Sequence, residues 1–365
     1  MSTGVEEYVS LIDIRDSYEL TRVLDRKLPE TSVYDVGFMP IKSFRGRRVE
    51  LRVRETNGAG LAGFKAENTN APIVKQGGVL QQIYMDLVTI AEEDTISAEQ
   101  YMALASKDDG VRAGAARTMV EKAENLKRRN INRTRWMAWK AVQDALTIVY
   151  PSGVAIAVDW DLDGSDWNSH FTGSHLPTAS VEWDHITDEE YDADIITDVY
   201  NWSKLIADDL GTDEGDAILH MNSTTWRYVR RNKYLLKESS PSYSQPRSAP
   251  LTLAEVASVL DVAEVKIVNA YYLDDTALRT KYKFLEDGKV LLTAPYTVEG
   301  TPIAEMYDGL VATIDGEDIK VANNPGMAAE MYTNKVTISK NVRVQTARMP
   351  ILNYPAAFIF GTVAS

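Results

Sequence analysis

Residues Arg48-Val49-Glu50-Leu51-Arg52-Val53-Arg54 alternate polar and apolar, the period-two signature of a strand with one wet face. A glycine-rich stretch, Asn57 to Gly63, follows, and Val79 to Ile90 alternates in part and predicts a returning strand. The pair reads as a hairpin ribbon with basic outer positions and little core of its own. Two-stranded ribbons are marginal in water, so this one needs something to lean on. Ahead of it, Leu11, Ile14, Tyr18 and Val23 share a face of a short amphipathic helix or arm over Tyr8 to Leu28, which Pro29 stops.

The clearest element is a long helix over 108–149. Asp108, Asp109 or Ser106 can cap its start, and Pro151 bounds it. Only Gly110 and Gly114 interrupt good helix formers, and Met119, Ala123, Leu126, Met137, Ala141 and Leu146 fall near helical spacing. A helix of about 40 residues spans about 60 Å, a spine for other elements to pack along. Beyond it the pattern predicts a strand over Pro151 to Trp160 and a polar loop over Asp161 to Ser180. A second amphipathic helix follows over Asp188 to Leu210, then a buried strand over Ala217 to Met221. Asn222 or Ser223 can cap a helix running through Tyr228 and Tyr234, and Thr252 with Glu255 forms a capping box. Ser239 to Pro250 is loop, Val265 to Tyr272 a strand, and Tyr282–Phe284 with Lys289–Thr293 a hairpin across Asp287-Gly288. Lys335 to Thr362 reads as tail strands, expected to pair with the strand after the spine helix. The class is α+β, with one domain split around another.

Composition narrows the function. The 365 residues, 44% hydrophobic and 25% charged, suit roughly two globular domains. There is no cysteine, which excludes disulfides, thiolate metal sites and a cysteine nucleophile. No apolar run reaches membrane length, and Met1 to Ser10 carries acids and no base, unlike a signal peptide. A soluble protein made inside a cell is expected. The net charge of −14 argues against general nucleic-acid binding. That charge is uneven. Lys42, Arg45, Arg47, Arg48, Arg52 and Arg54 face only Glu50, whereas Lys204 is the only Lys or Arg between Asp159 and Asp216. Two solvated faces explain this blandly; complementary surfaces on neighbouring copies explain it more sharply.

Candidate chemistry is thin. Asp159, Asp161, Asp163, Gly164 and Asp166 resemble the start of a calcium loop, but the twelfth position holds His170 rather than Glu. His170, His175, His185 and His220 match no zinc spacing, and the first three read as exposed loop residues. The Asn57-Gly58-Ala59-Gly60 stretch lacks the Lys-Ser/Thr of a phosphate loop. Lys127, Arg128, Arg129, Arg133 and Arg135 cluster on the spine helix as a solvated face or as ion-pair partners of the acidic region. Glu92, Glu93 and Asp94 are adjacent, and neighbours on a strand point apart, so they make no catalytic pair. No cofactor, metal or catalytic residue is expected.

Several stretches, in order, resemble the lambda-type major capsid protein family of tailed bacteriophages. They are the arginine-rich strand with "FKAENTNAPIVKQGGVLQQIYMDLVTI", the helix end "RTRWMAWKAVQDAL" with "GVAIAVDWDLDG", "AEVKIVNAYYLDD" with "KYKFLEDGKVLLTAP", and "ISKNVRVQTARMPILNYPAAFIFGTV". The resemblance implies an N-terminal arm (1–44), an extended loop (45–87), a peripheral domain with the spine helix (88–189 and 331–365) and an axial domain (190–330). It implies no enzyme but a virion shell subunit, assembled in the host cytoplasm into pentamers and hexamers around the genome. A separate scaffolding protein is implied too, because no charged helical pro-segment precedes Val49. Portal and decoration proteins and weak contact with packaged DNA complete the implied partners. The loop would lie on a neighbouring subunit, which makes Arg45, Arg47, Arg48, Arg52, Arg54, Asn57, Gly58, Gly60, Lys65 and Lys75 candidate inter-subunit contacts. The rivals are an encapsulin-like nanocompartment shell and, from another class, an acidic metal-binding enzyme or module centred on Asp159 to His170.

Overall fold

The structure is a computed structural model. It describes residues 17–54, 79–144, 146–150, 153, 155–165, 171–187, 190–240, 249–274, 279–315, 318–321, 325–334 and 339–364. The chain forms two compact units: Met1–Val49 with Tyr84–Ala138 and Glu305–Ile351, and Glu50–Ile83 with Trp139–Ala304 and Leu352–Ser365.

The first unit is built on a five-stranded sheet. Its long strand, Ser339–Leu352, is flanked by Ala328–Asn334 and Val88–Ile96, both antiparallel, and by Ala304–Gly309, which carries Ile41–Ser43 in parallel at the edge. The spine helix runs over Asp109–Ala141, about 50 Å. Asp108 starts it, its Oδ1 accepting from the N–H groups of Gly110 (2.8 Å) and Val111 (3.3 Å). Met119, Val120, Ala123 and Leu126 pack with Leu20, Val23 and Leu24 of the arm helix Ser17–Lys27 and with Ile96, Val342 and Val344 of the sheet. The arm is thus part of the core from Leu20 onward; Leu11 and Ile14 lie outside the described residues.

The second unit holds a four-stranded sheet in the order Glu264–Ile267, Ile218–Met221, Lys289–Thr293, Phe358–Thr362. The helix Ile195–Leu210 buries Ile195, Val199, Trp202, Ile206 and Leu210 and ends on Gly211 in the left-handed region. Thr252 and Glu255 form the expected capping box. Gly288 (φ +71°) turns the chain where a Cβ would meet the Ala364 carbonyl oxygen at 2.3 Å.

Several expectations change. The spine helix stops at Ala141, not Val149: Asp144 takes φ +52°, and the β-branched run Thr147-Ile148-Val149 pairs as a strand with Ala155–Val158. The second helix starts at Ile195 rather than Asp188, because Asp194 caps it. The helix expected after Asn222 is two, with Asn232 capping the second over Lys233–Glu238. The Asp287-Gly288 turn joins no hairpin: Lys281–Lys283 pairs with Tyr271–Leu273, while Lys289–Thr293 sits in the central sheet. The tail pairs with Val88–Ile96, Ala328–Asn334 and Lys289–Thr293, not with the strand after the spine helix.

Candidate inter-subunit surface

The ribbon strands are Arg48–Arg54 and Val79–Asp86, and among the described residues they pair only with each other. At the base, the Leu87 N–H donates to the Arg47 carbonyl (2.7 Å), and Val49 and Leu87 are buried. Gly309 lets this corner close: a Cβ there would meet Leu87 and the Gly46 carbonyl oxygen, the latter at 2.8 Å. Arg45, Arg47, Arg48 and Asp86 stay outside. Arg48 grips Asp86 with two donors, at 2.8 and 3.1 Å, yet both side chains are about two-thirds exposed, 67% and 64%. That pair holds the Asp86 carboxyl below the ordinary range through the Arg48 hydrogen bond. Arg47 donates to Thr89 Oγ1 (3.1 Å), and Arg45 is exposed. Arg52 and Arg54 lie in the strand. Asn57, Gly58, Gly60, Lys65 and Lys75 lie outside the described residues.

Three of the five basic residues clustered on the spine helix are paired with acids. Lys127, buried, donates to Asp25 (2.6 Å); Arg129 pairs with Glu92, and Arg135 with Asp35 (2.7 Å). Their acids come from the arm and from the strand Val88–Ile96, not from the stretch 159–216. The acidic run there splits as alternation requires: Glu92 and Asp94 meet Arg129 and Lys122 of the spine helix, whereas Glu93 meets Tyr332 and Asn341.

Among the described residues no group of acids or histidines can hold a metal. In the calcium-like stretch, Asp159 and Asp163 accept backbone N–H groups from Asp161 (2.7 Å) and Ser165 (3.0 Å), and Gly164 (φ +70°) supplies the turn. Asp166 and His170 lie outside the described residues. His175 is not exposed, as was expected of it, but fully buried: Nδ1 donates to the Phe358 carbonyl (2.8 Å) and Nε2 pairs with Asp209 (2.9 Å). His185 is exposed and pairs with Asp192 (2.5 Å). His220 is buried, stacked on Tyr296 with edge contact to Trp139, and burial with the charge of Lys266 pushes it down to about 3. Among the described residues no helix is long and apolar enough to cross a membrane.

The sequence reading missed the most buried charges. Arg348, fully buried, donates to Asp308 Oδ2 (2.7 Å) and Thr134 Oγ1 (3.2 Å) and pairs with Glu30; Thr346 donates to Asp308 Oδ1 (3.0 Å). Burial works to lower Arg348, but Asp308 and Glu30 raise it on balance. Tyr34 beside it is pushed far up by burial. Glu330, also buried, is held by Arg343 and by Gln345 Nε2 (3.0 Å). A visible signal existed: one arginine inside the apolar run Ala347-Arg348-Met349-Pro350-Ile351-Leu352.

The phage major capsid protein E family matches residues 16–363. No curated protein matches the chain. Among solved structures, a putative capsid protein of a prophage of E. coli CFT073 is similar at 13% identity with a TM-score of 0.55, covering 96% of this chain and 99% of that one. A phage-related protein from Bordetella bronchiseptica RB50 is similar at 14% identity with a TM-score of 0.52, covering 96% and 97%. At such identities the likeness speaks to the fold, an α+β capsid fold.

Proposed function

The chain belongs to the phage major capsid protein E family, and from that premise we propose that copies of it close an icosahedral shell, as pentamers and hexamers, around packaged DNA. The observation that carries this is the ribbon. Among the described residues its strands have no neighbour but each other, and its base presents arginines to solvent. A bare two-stranded ribbon is marginal in water, and a neighbouring copy supplies the missing surface. We assign Arg45, Arg47, Arg48, Arg52 and Arg54, with Asn57, Gly58, Gly60, Lys65 and Lys75 of the segment between the strands, to that contact. The acid-rich stretch 159–216 offers charge of the opposite sign.

On the same reading, 1–44 is the arm and 45–87 the extended loop. We assign 88–189 with 331–365, spine helix included, to the peripheral domain and 190–330 to the axial domain. A separate scaffolding protein guides closure in the host cytoplasm, portal and decoration proteins join the shell, and the subunit performs no catalysis. Family membership favours a phage shell over an enzyme-filled nanocompartment.

Light scattering tests this. The purified chain with its scaffolding protein gives particles of many subunits, and the same chain with Arg48, Arg52 and Arg54 changed to Glu gives only small species. A wild-type chain that stays monomeric or dimeric in every condition overturns the proposal.

A further inference from the structure

The last strand of the four-stranded sheet, Phe358–Thr362, has Lys289–Thr293 on one edge and a stretch of loop on the other. The Phe360 N–H donates to the His175 carbonyl and the Thr362 N–H to the Pro177 carbonyl (both 2.9 Å), and the Ala179 N–H donates back to the Thr362 carbonyl (2.8 Å). An open sheet edge is a template for unwanted pairing, and this loop covers it. His175 stands where the cover begins. Its side chain has no exposed surface, and that of Asp209 beside it is only 4% exposed.

Both ring nitrogens of His175 meet acceptors: Nδ1 lies 2.8 Å from the Phe358 carbonyl oxygen and Nε2 2.9 Å from Asp209 Oδ2. Turning the ring over would set carbon against both oxygens, so the two contacts fix its orientation. A carbonyl oxygen only accepts, so Nδ1 carries a proton. In a neutral imidazole Nε2 is then bare, and it can face Asp209 only if the carboxyl brings the proton. The other bonds of Asp209 favour its ionised form. Its Oδ1 accepts from the Thr172 N–H (2.9 Å) and the Thr172 hydroxyl (2.5 Å). Burial works to raise this carboxyl, but the bonds from His175 and Thr172 lower it on balance. An ionised Asp209 leaves Nε2 to donate, and the ring then holds two protons.

We propose that His175 is held as an imidazolium, a buried charged clasp that ties the loop and Asp209 of the helix Ile195–Leu210 to the outer edge of the sheet, so that the cover depends on a proton. The surrounding elements bring these further charges. The turn whose Leu162 carbonyl accepts the His175 N–H (2.9 Å) carries Asp161 and Asp163, which accept from the Ser165 hydroxyl (3.5 Å) and N–H (3.0 Å). The helix carries Lys204 and Asp208, both exposed, and the neighbouring strand carries Lys289, which donates to Thr362 Oγ1 (2.8 Å). The loop itself sets the Phe171 ring 4.4 Å from the imidazole, between centroids. Loss of either ring proton leaves a bare nitrogen against an oxygen lone pair in a site closed to water, which breaks one side of the clasp.

The chain has four histidines, so 15N-histidine labelling of the sedimented full-length chain gives four rings to assign by solid-state NMR, assembled or not. Spectra are taken at about pH 8, where an ordinary imidazole, near 6.5, is neutral. The expected result is a ring with both nitrogens protonated that is missing from His175→Gln. In Asp209→Asn, whose amide can donate to Nε2, the same ring is expected to show one protonated and one bare nitrogen. A bare nitrogen on His175 in the wild-type chain overturns the proposal, and so does a doubly protonated ring that persists in Asp209→Asn. Should His175→Gln fail to fold, the wild-type and Asp209→Asn spectra decide the point between them. Hydrogen exchange at Phe360 and Thr362, read by mass spectrometry, tests the cover. It is expected to quicken on the order of tenfold in His175→Gln and to stay unchanged in His185→Gln, the exposed control. Wild-type exchange rates in a folded His175→Gln chain overturn the clasp.

Discussion

Arg348 shows what a single residue can hold together. It joins the arm (Glu30), the spine helix (Thr134) and the five-stranded sheet (Asp308), with no exposed surface. Removing one partner of a buried pair leaves an uncompensated charge, at a cost of about 3–5 kcal/mol. Arg348→Met is expected to lose about that much in urea denaturation; a loss under about 1 kcal/mol contradicts the assignment. His220 acts on pH. Its folded value near 3 lies below the ordinary 6.5, so as pH falls below 6.5 the unfolded chain takes a proton that the folded one refuses. Its contribution is therefore complete above 6.5 and declines by about 1.4 kcal/mol per pH unit down to about 3. His220→Gln is expected to flatten that part of the stability profile, and parallel wild-type and variant profiles contradict it. His220 lay in a strand expected to be buried, but the role of Arg348 was not legible in advance. Arg348 was visible as an anomaly in an apolar strand, but its acids sit far away in sequence, where only the fold could bring them.

At the scale of elements, the strongly periodic segments were the legible ones. The ribbon strands, the body of the spine helix, the strand Ile218–Met221 and the Thr252 capping box all follow from local pattern. The misreadings share a cause: the pattern continues where the backbone turns. Ala141 to Leu146 keeps apolar spacing, yet Asp144 leaves the helical region and its carboxylate accepts the N–H groups of Trp160 (2.7 Å) and Leu162 (3.1 Å) across the following hairpin. Burial raises that carboxyl, those two bonds oppose it, and proximity to Asp159 adds to the rise. Likewise Asp287-Gly288 turns correctly but feeds a sheet whose partners lie elsewhere in the chain. The buried stripe of the spine helix can be tested directly. Leu126→Asp or Met137→Asp places an unpaired charge in the first unit's core and is expected to cost more than about 3 kcal/mol, read as loss of cooperative thermal unfolding. A near-native transition contradicts the packing.

The whole molecule pairs a charge-locked body with surfaces left for neighbours. Lys127, Arg129 and Arg135 of the spine helix pair with Asp25, Glu92 and Asp35, while Arg45, Arg47 and Arg48 at the ribbon base remain at the surface. Deleting 57–63 is expected to leave the circular dichroism signal of the folded subunit intact and to weaken assembly; unfolding on deletion contradicts a role confined to contacts. If ribbon arginines meet acids on a neighbour, assembly weakens as salt shortens the screening length from about 10 Å at 0.1 M to about 3 Å at 1 M. Salt-independent assembly contradicts that pairing. The most direct measurement is negative-stain electron microscopy of the purified chain, alone and with its scaffolding protein. Closed shells, or rings of five or six subunits, are the predicted result; a uniform field of monomers or dimers in both conditions contradicts the capsid account.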